Sequence, residues 1–180
     1  MRKTKKLTVS AAATALGILF MAIGANFAPL DLSCSVLASM LVAFVYFEIG
    51  SPYTWLVWLG TALLSFIFFT SSFVWLSYLL MFGVYPILKG YIGKAPRVLQ
   101  LPLKLVFVNA VVAVMFFFGE LLTTQSLFGD PADIPLDSRI VYAALWLLLD
   151  VAFLLYDRLL VLLSVYYSER IRPKIANLLK

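Results

Sequence analysis

The chain of 180 residues has no histidine and one cysteine, Cys34. Those two shortages close off several chemistries. A zinc site of the usual Cys/His kind has no ligands, no Ser-His or Cys-His pair can act within the chain, and no intrachain disulfide can form. Membrane metalloproteases and histidine-dependent intramembrane proteases go with them. No enzyme activity, metal or cofactor is expected, and Cys34 reads as a small apolar filler. A phosphate-cradling GxxxxGK[ST] loop is missing too, so the chain has no means of its own to use ATP. Charge is sparse: Asp, Glu, Lys and Arg make up 13% of the residues, against about a quarter in soluble domains.

Apolar residues take the vacant share, at 63% of the chain, with a mean hydropathy of +1.01. They fall into six runs, residues 7–25, 32–49, 53–69, 73–92, 101–122 and 139–167. Each is near the roughly 20 residues that an α-helix needs to cross a bilayer. The expectation is an all-α polytopic membrane protein: one compact bundle of six transmembrane helices, forming a single domain over residues 1–180. Asn26, Pro29 and Asp31 break the first run from the second. Gly50-Ser51-Pro52 makes a minimal turn, so the second and third helices form an antiparallel hairpin. Pro86 lies inside the fourth run and kinks it. The longest connection, residues 123–138, is polar and carries Asp130, Asp133 and Asp137. It lacks the frame of a calcium loop and reads as solvated, or as a lid.

Lysine and arginine set the orientation. With the amino terminus inside, Arg2, Lys3, Lys5, Lys6, Lys89, Lys94, Arg97, Lys104, Arg170, Arg172, Lys174 and Lys180 all fall on the inner side. The outer connections hold only Arg139, together with Asp31, Glu120, Asp130, Asp133 and Asp137. Both termini are then cytoplasmic. The net charge of +5 follows this placement around apolar runs, which argues against a nucleic-acid partner. Ala25-Asn26-Phe27-Ala28 is a poor cleavage site, so residues 7–25 read as a retained span rather than a signal peptide.

The first span is rich in small residues: Ser10, Ala11, Ala12, Ala13, Thr14, Ala15, Gly17, Gly24 and Ala25. Small residues let another helix come close, which makes this helix a docking surface. The sharpest polar signal is Asp150, about 16 Å into the sixth helix and near the bilayer midplane. A carboxylate at that depth is a functional hypothesis by default; the other reading is a buried structural hydrogen bond, for which Asn109 lies at similar depth. Tyr142, Trp146 and Asp150 share one helical stripe. With Asn26, Trp75, Tyr78, Asn109 and Glu120 they form a candidate outer pocket for a small molecule. Trp75 and Tyr142 fit an aromatic belt equally well. Asp157 is read as a capping or interhelical group, Arg158 as a snorkelling one, Lys89 as a boundary anchor, and Glu48 as a partner for a basic-loop lysine.

The basic start, Lys6-Leu7-Thr8, and the alanine-rich first helix with Ala11-x-x-x-Ala15 resemble the opening of substrate-binding S components of energy-coupling factor (ECF) vitamin transporters. Length, six spans and cytoplasmic termini are similar as well. The resemblance implies a substrate-capture subunit of an ATP-driven importer in a prokaryotic cell membrane. Ala11 and Ala15 would dock on a transmembrane coupling protein joined to ATPase subunits. A vitamin or other micronutrient would bind near the outer face, among Asn26, Trp75, Tyr78, Asn109, Glu120, Tyr142, Trp146 and Asp150. The alternatives are a ligand-free membrane scaffold similar to the cell-shape protein MreD, and a channel or ion-coupled carrier that uses Asp150.

Overall fold

A computed structural model describes residues 3–122 and 138–171. Among them every regular element is helical. Helix α1 (Lys3–Asn26) leads through a 3₁₀ turn (Ala28–Leu30) into α2 (Asp31–Glu48), followed by α3 (Ser51–Phe68). Next come α4 (Val74–Ser77), a π-helical turn (Tyr78–Phe82) and α5 (Tyr85–Ile92). Helices α6 (Arg97–Leu122) and α7 (Ser138–Tyr166) follow, and α7 runs into a terminal π turn (Tyr167–Ile171). Four helical stretches are long and apolar enough to cross a membrane: Lys3–Asn26, Asp31–Glu48, Ser51–Phe68 and Val98–Met115 within α6. Large apolar side chains such as Leu19, Leu56, Ile67, Phe117, Leu147 and Leu162 stand exposed around the bundle. A water-soluble monomer does not tolerate so broad an apolar surface; this is the exterior of a membrane protein.

The hairpin turn is found where Gly50 stands. This glycine has φ +96°, a left-handed conformation that favours glycine, and Pro52 occupies the first turn of α3. Helix α2 is the central post, in contact with α1, α3, α4, the π turn, α5 and α7. Its buried residues, Cys34, Ser35, Ala38, Ser39, Val42, Ala43 and Val45, are all small or medium in size, which lets neighbours approach closely. Two cores meet on it. One joins α1, α2, α3 and the fourth run through Ala13, Met21, Ala38, Val42, Val57, Ala62, Val74 and Tyr78. The other joins α2, the fourth run, α6 and α7 through a larger aromatic set, with Phe82, Tyr85, Phe153 and Tyr156 at its centre.

The small residues of α1 divide between two faces. Ser10, Ala13, Gly17, Met21 and Gly24 are buried, at the 3–4 residue spacing of one helical face. A Cβ on Gly17 would lie 3.0 Å from Thr61 Oγ1, and one on Gly24 3.0 Å from Val74. Glycine is what lets these helices touch. Ala11 and Ala15 lie on the exposed face. The glycines therefore serve the bundle itself, and only the alanines remain available to anything outside it.

The fourth run departs most from expectation: it is interrupted rather than merely kinked. Pro86 has no N–H to give the Phe82 carbonyl four residues earlier. The chain answers with a π turn, in which the Gly83 N–H reaches back five residues to the Tyr78 carbonyl at 2.7 Å. Two of the carbonyls at the break, those of Leu79 and Phe82, find side-chain donors on other helices. Trp58 Nε1 of α3 donates to Leu79 O (3.3 Å). The Tyr156 hydroxyl of α7 lies 3.0 Å from Phe82 O and 2.8 Å from Ser39 Oγ, and its single proton serves one of them at a time. Side chains from neighbouring helices thus satisfy the broken backbone, as an apolar surrounding demands.

A Cβ on Gly83 would lie 2.7 Å from Trp58 Cδ1 and 2.8 Å from the Tyr78 ring, whereas one on Gly60 would meet nothing nearer than 3.4 Å. Gly83→Ala should therefore destabilise the protein by about 1–3 kcal/mol through overpacking, while Gly60→Ala is close to neutral. Thermal unfolding of the two variants in one detergent checks this; equal midpoints would contradict it.

Candidate functional site

Two polar centres are built into the half of the bundle that contains α5, α6 and α7. The first lies between α6 and α7. Trp146 Nε1 donates to Asn109 Oδ1 at 2.6 Å. Asn109 Nδ2 donates to the Asp150 carboxylate at 3.2 Å and to the Leu105 carbonyl of its own helix at 2.9 Å. Trp146 and Asp150 come together because they are one turn apart on α7, and Asn109 meets them from α6. Asn109 is fully used: both amide protons and its carbonyl are engaged. Asp150 has a neutral amide as its polar partner and is half-buried.

The second centre lies two turns further along α7. Asp157 is 5% exposed and accepts from three side chains. Lys89 of α5 pairs with Oδ1, Lys104 of α6 with Oδ2 at 2.7 Å, and the Tyr85 hydroxyl donates to Oδ1 at 2.6 Å. Lys89 also donates to the Asp157 backbone carbonyl, at 2.6 Å. Tyr85 is held by Phe153 (ring centres 4.6 Å apart) and Phe107 (5.7 Å). One carboxylate thus ties three helices. Asp157 is interhelical, as one of its sequence readings had it. Lys89, read as a boundary anchor, points inward to it instead. The usable signal was that Lys104 and Asp157 both interrupt apolar runs near the same end of the bundle, where neither could be left unpaired. Glu48, expected opposite a lysine, accepts the Tyr167 hydroxyl at 2.6 Å.

The other sequence candidates are dispersed. Trp75 is buried, with its ring edge on Phe66 (4.9 Å) and its Nε1 donating to the Thr70 carbonyl (3.0 Å). Tyr78 is buried in the first core, where its hydroxyl and those of Thr61 and Ser65 lack a well-formed hydrogen bond. Asn26 is exposed and caps its own helix by donating to the Ala22 carbonyl at 2.7 Å. The side chains of Glu120 and Tyr142, and the aspartates of residues 123–137, lie outside the described residues.

A cleft of about 390 Å³ opens between α2, the π turn and α7. Its lining is apolar: Leu32, Val36, Leu37, Met81, Phe82, Leu149, Ala152 and Phe153, with Ser33 and Tyr156 as the polar members. It sits at the Asn26 end of α2, away from the Gly50 turn. Leu149, Ala152, Phe153 and Tyr156 are the α7 residues that line it; Trp146, Asp150 and Asn109 are not in its lining. Among the described residues no three Cys, Asp or Glu side chains come together as a metal ion would need.

The Asp157 centre allows a sharp test. Asp157→Leu strands two ammonium groups and should cost about 3–5 kcal/mol. Adding Lys89→Met and Lys104→Met should restore most of that loss, because the full apolar replacement leaves no orphan charge. Unfolding midpoints decide; a triple variant no more stable than the single one would refute the account. Among known proteins, no family model, curated sequence or solved structure matches this chain.

Proposed function

We propose that this protein is the substrate-capture subunit of an ATP-driven importer in the cell membrane of a prokaryote, resembling an ECF S component. In this reading the chain spans the membrane six times with both termini in the cytoplasm, as the lysine and arginine distribution requires. The interrupted fourth run α4–α5 and helix α7 supply the spans that complete the set of four long apolar helices. A micronutrient-sized solute binds near the outer face, and Ala11 and Ala15 dock on a transmembrane coupling protein that carries the ATPases.

The observation that carries the reading is the cleft. Its volume, about 390 Å³, lies within the range of roughly 300–1,000 Å³ typical of small-molecule sites, which are mostly apolar with a few polar groups. It lies in the outer half under the proposed orientation, at the Asn26 end of α2. The docking part rests on Ala11 and Ala15 being exposed at the opposite, inner half of α1 while the glycines of that helix are used internally. A second reading, a ligand-free scaffold, draws on one feature: Asn109, Trp146 and Asp150 bind one another.

Mass spectrometry of small molecules released from the purified protein separates the two. Capture predicts a retained solute that is lost when Ala152→Trp fills the cleft, with the unfolding midpoint little changed. A protein that retains nothing under any growth condition is a scaffold. Independently, the double variant Ala11→Trp, Ala15→Trp should copurify at least tenfold less of an ATPase module while still binding solute; unchanged recovery removes the docking role.

A further inference from the structure

We infer that the Gly50 end of the bundle holds a second site, for a phosphate-sized oxyanion, in a cavity beside Lys89. The cavity measures about 110 Å³ and lies between α2, α5 and α7; Tyr46, Phe47, Pro86, Lys89, Gly90 and Ser164 are among its lining residues. One water needs only about 10–15 Å³ of such space, so the cavity has room for several times that.

Charge points to an anion. Lys89 and Lys104 share one carboxylate, Asp157, which leaves one positive charge uncompensated among the described residues. Glu48, at the same end, takes the Tyr167 hydroxyl and forms no ion pair with either lysine. Exposed Arg158 adds to the positive side. An ammonium this enclosed, with 22% of the Lys89 side chain exposed, favours an anionic neighbour.

Residues that carry donors line the same space, Lys89 and Tyr46 among them. Lys89 gives two of its three N–H groups to Asp157 and keeps one. The Tyr46 hydroxyl has no hydrogen bond among the described residues, and it reaches over α5 only because residue 90 is glycine: a Cβ there would overlap it. Tyr46 with its free hydroxyl, Lys89 with its spare N–H and Gly90 with no Cβ all line one cavity. A phosphate oxyanion accepts from both donors and neutralises the excess charge. Free phosphate and the phosphate of an anionic phospholipid offer the same chemistry.

The test uses the full chain in nanodiscs. In zwitterionic phosphatidylcholine discs, inorganic phosphate is titrated and the unfolding midpoint followed; in parallel, discs containing phosphatidylglycerol are compared with phosphatidylcholine alone. The same is done for Tyr46→Phe, which removes one oxygen and leaves the ion pairs intact, and for Gly90→Ala. A stabilisation by phosphate that weakens roughly fivefold or more in both variants establishes a site for the free anion. A stabilisation only in phosphatidylglycerol discs, equally sensitive to both variants, assigns the site to lipid phosphate. No stabilisation in either arm, or stabilisation that both variants leave unchanged, overturns the proposal.

Discussion

One carboxylate, Asp157, holds the second half of this bundle to the broken segment. It receives Lys89 from α5, Lys104 from α6 and the Tyr85 hydroxyl on a side chain that is buried. In a low-dielectric surrounding none of these charges can stand alone, so the position of each helix is fixed by the need of the other two. The aromatic packing of Tyr85 with Phe107 and Phe153 follows from that anchoring. Away from this centre α6 and α7 are joined by the hydrogen-bonded chain from Trp146 through Asn109 to Asp150.

The same constraint explains the interrupted fourth run. Pro86 withholds a donor, and a π turn shifts the backbone pattern around it. Two of the carbonyls left over, those of Leu79 and Phe82, are within reach of side chains from other helices, Trp58 from α3 and Tyr156 from α7. The break therefore stitches both cores together: the α3 side reaches it from one flank and the α7 side from the other. The cleft opens at this junction, lined by Met81 and Phe82 of the π turn together with residues of α2 and α7.

Much of the bundle was legible as pattern. Apolar runs of spanning length mark the long helices, and Gly50 with Pro52 marks the hairpin, because these depend on local backbone chemistry. The pairing of Asn109 with Asp150 was legible for a related reason: two polar residues at equal depth in apolar runs have few other partners. The dispersal of Trp75, Tyr78 and Asn26 was not. Their common outer level says nothing about direction around a helix, and direction is set by which neighbour each helix packs on. Trp75 turned to Phe66 and the Thr70 carbonyl; Tyr78 turned into the core beside Val57 and Ala62.

The sequence by itself determined the solvent this protein suits, the number of apolar runs and the chemistry it lacks, since composition and hydropathy are sums over residues. Only the tertiary structure decided which small face of α1 is spent inside, with Gly17 on Thr61, and which is left outside, with Ala11 and Ala15. It alone turned a kink into a break, and three scattered charges into one centre. Those outcomes depend on the rotation and proximity of helices distant in sequence, where a carbonyl freed at Phe82 finds its donor 74 residues away at Tyr156.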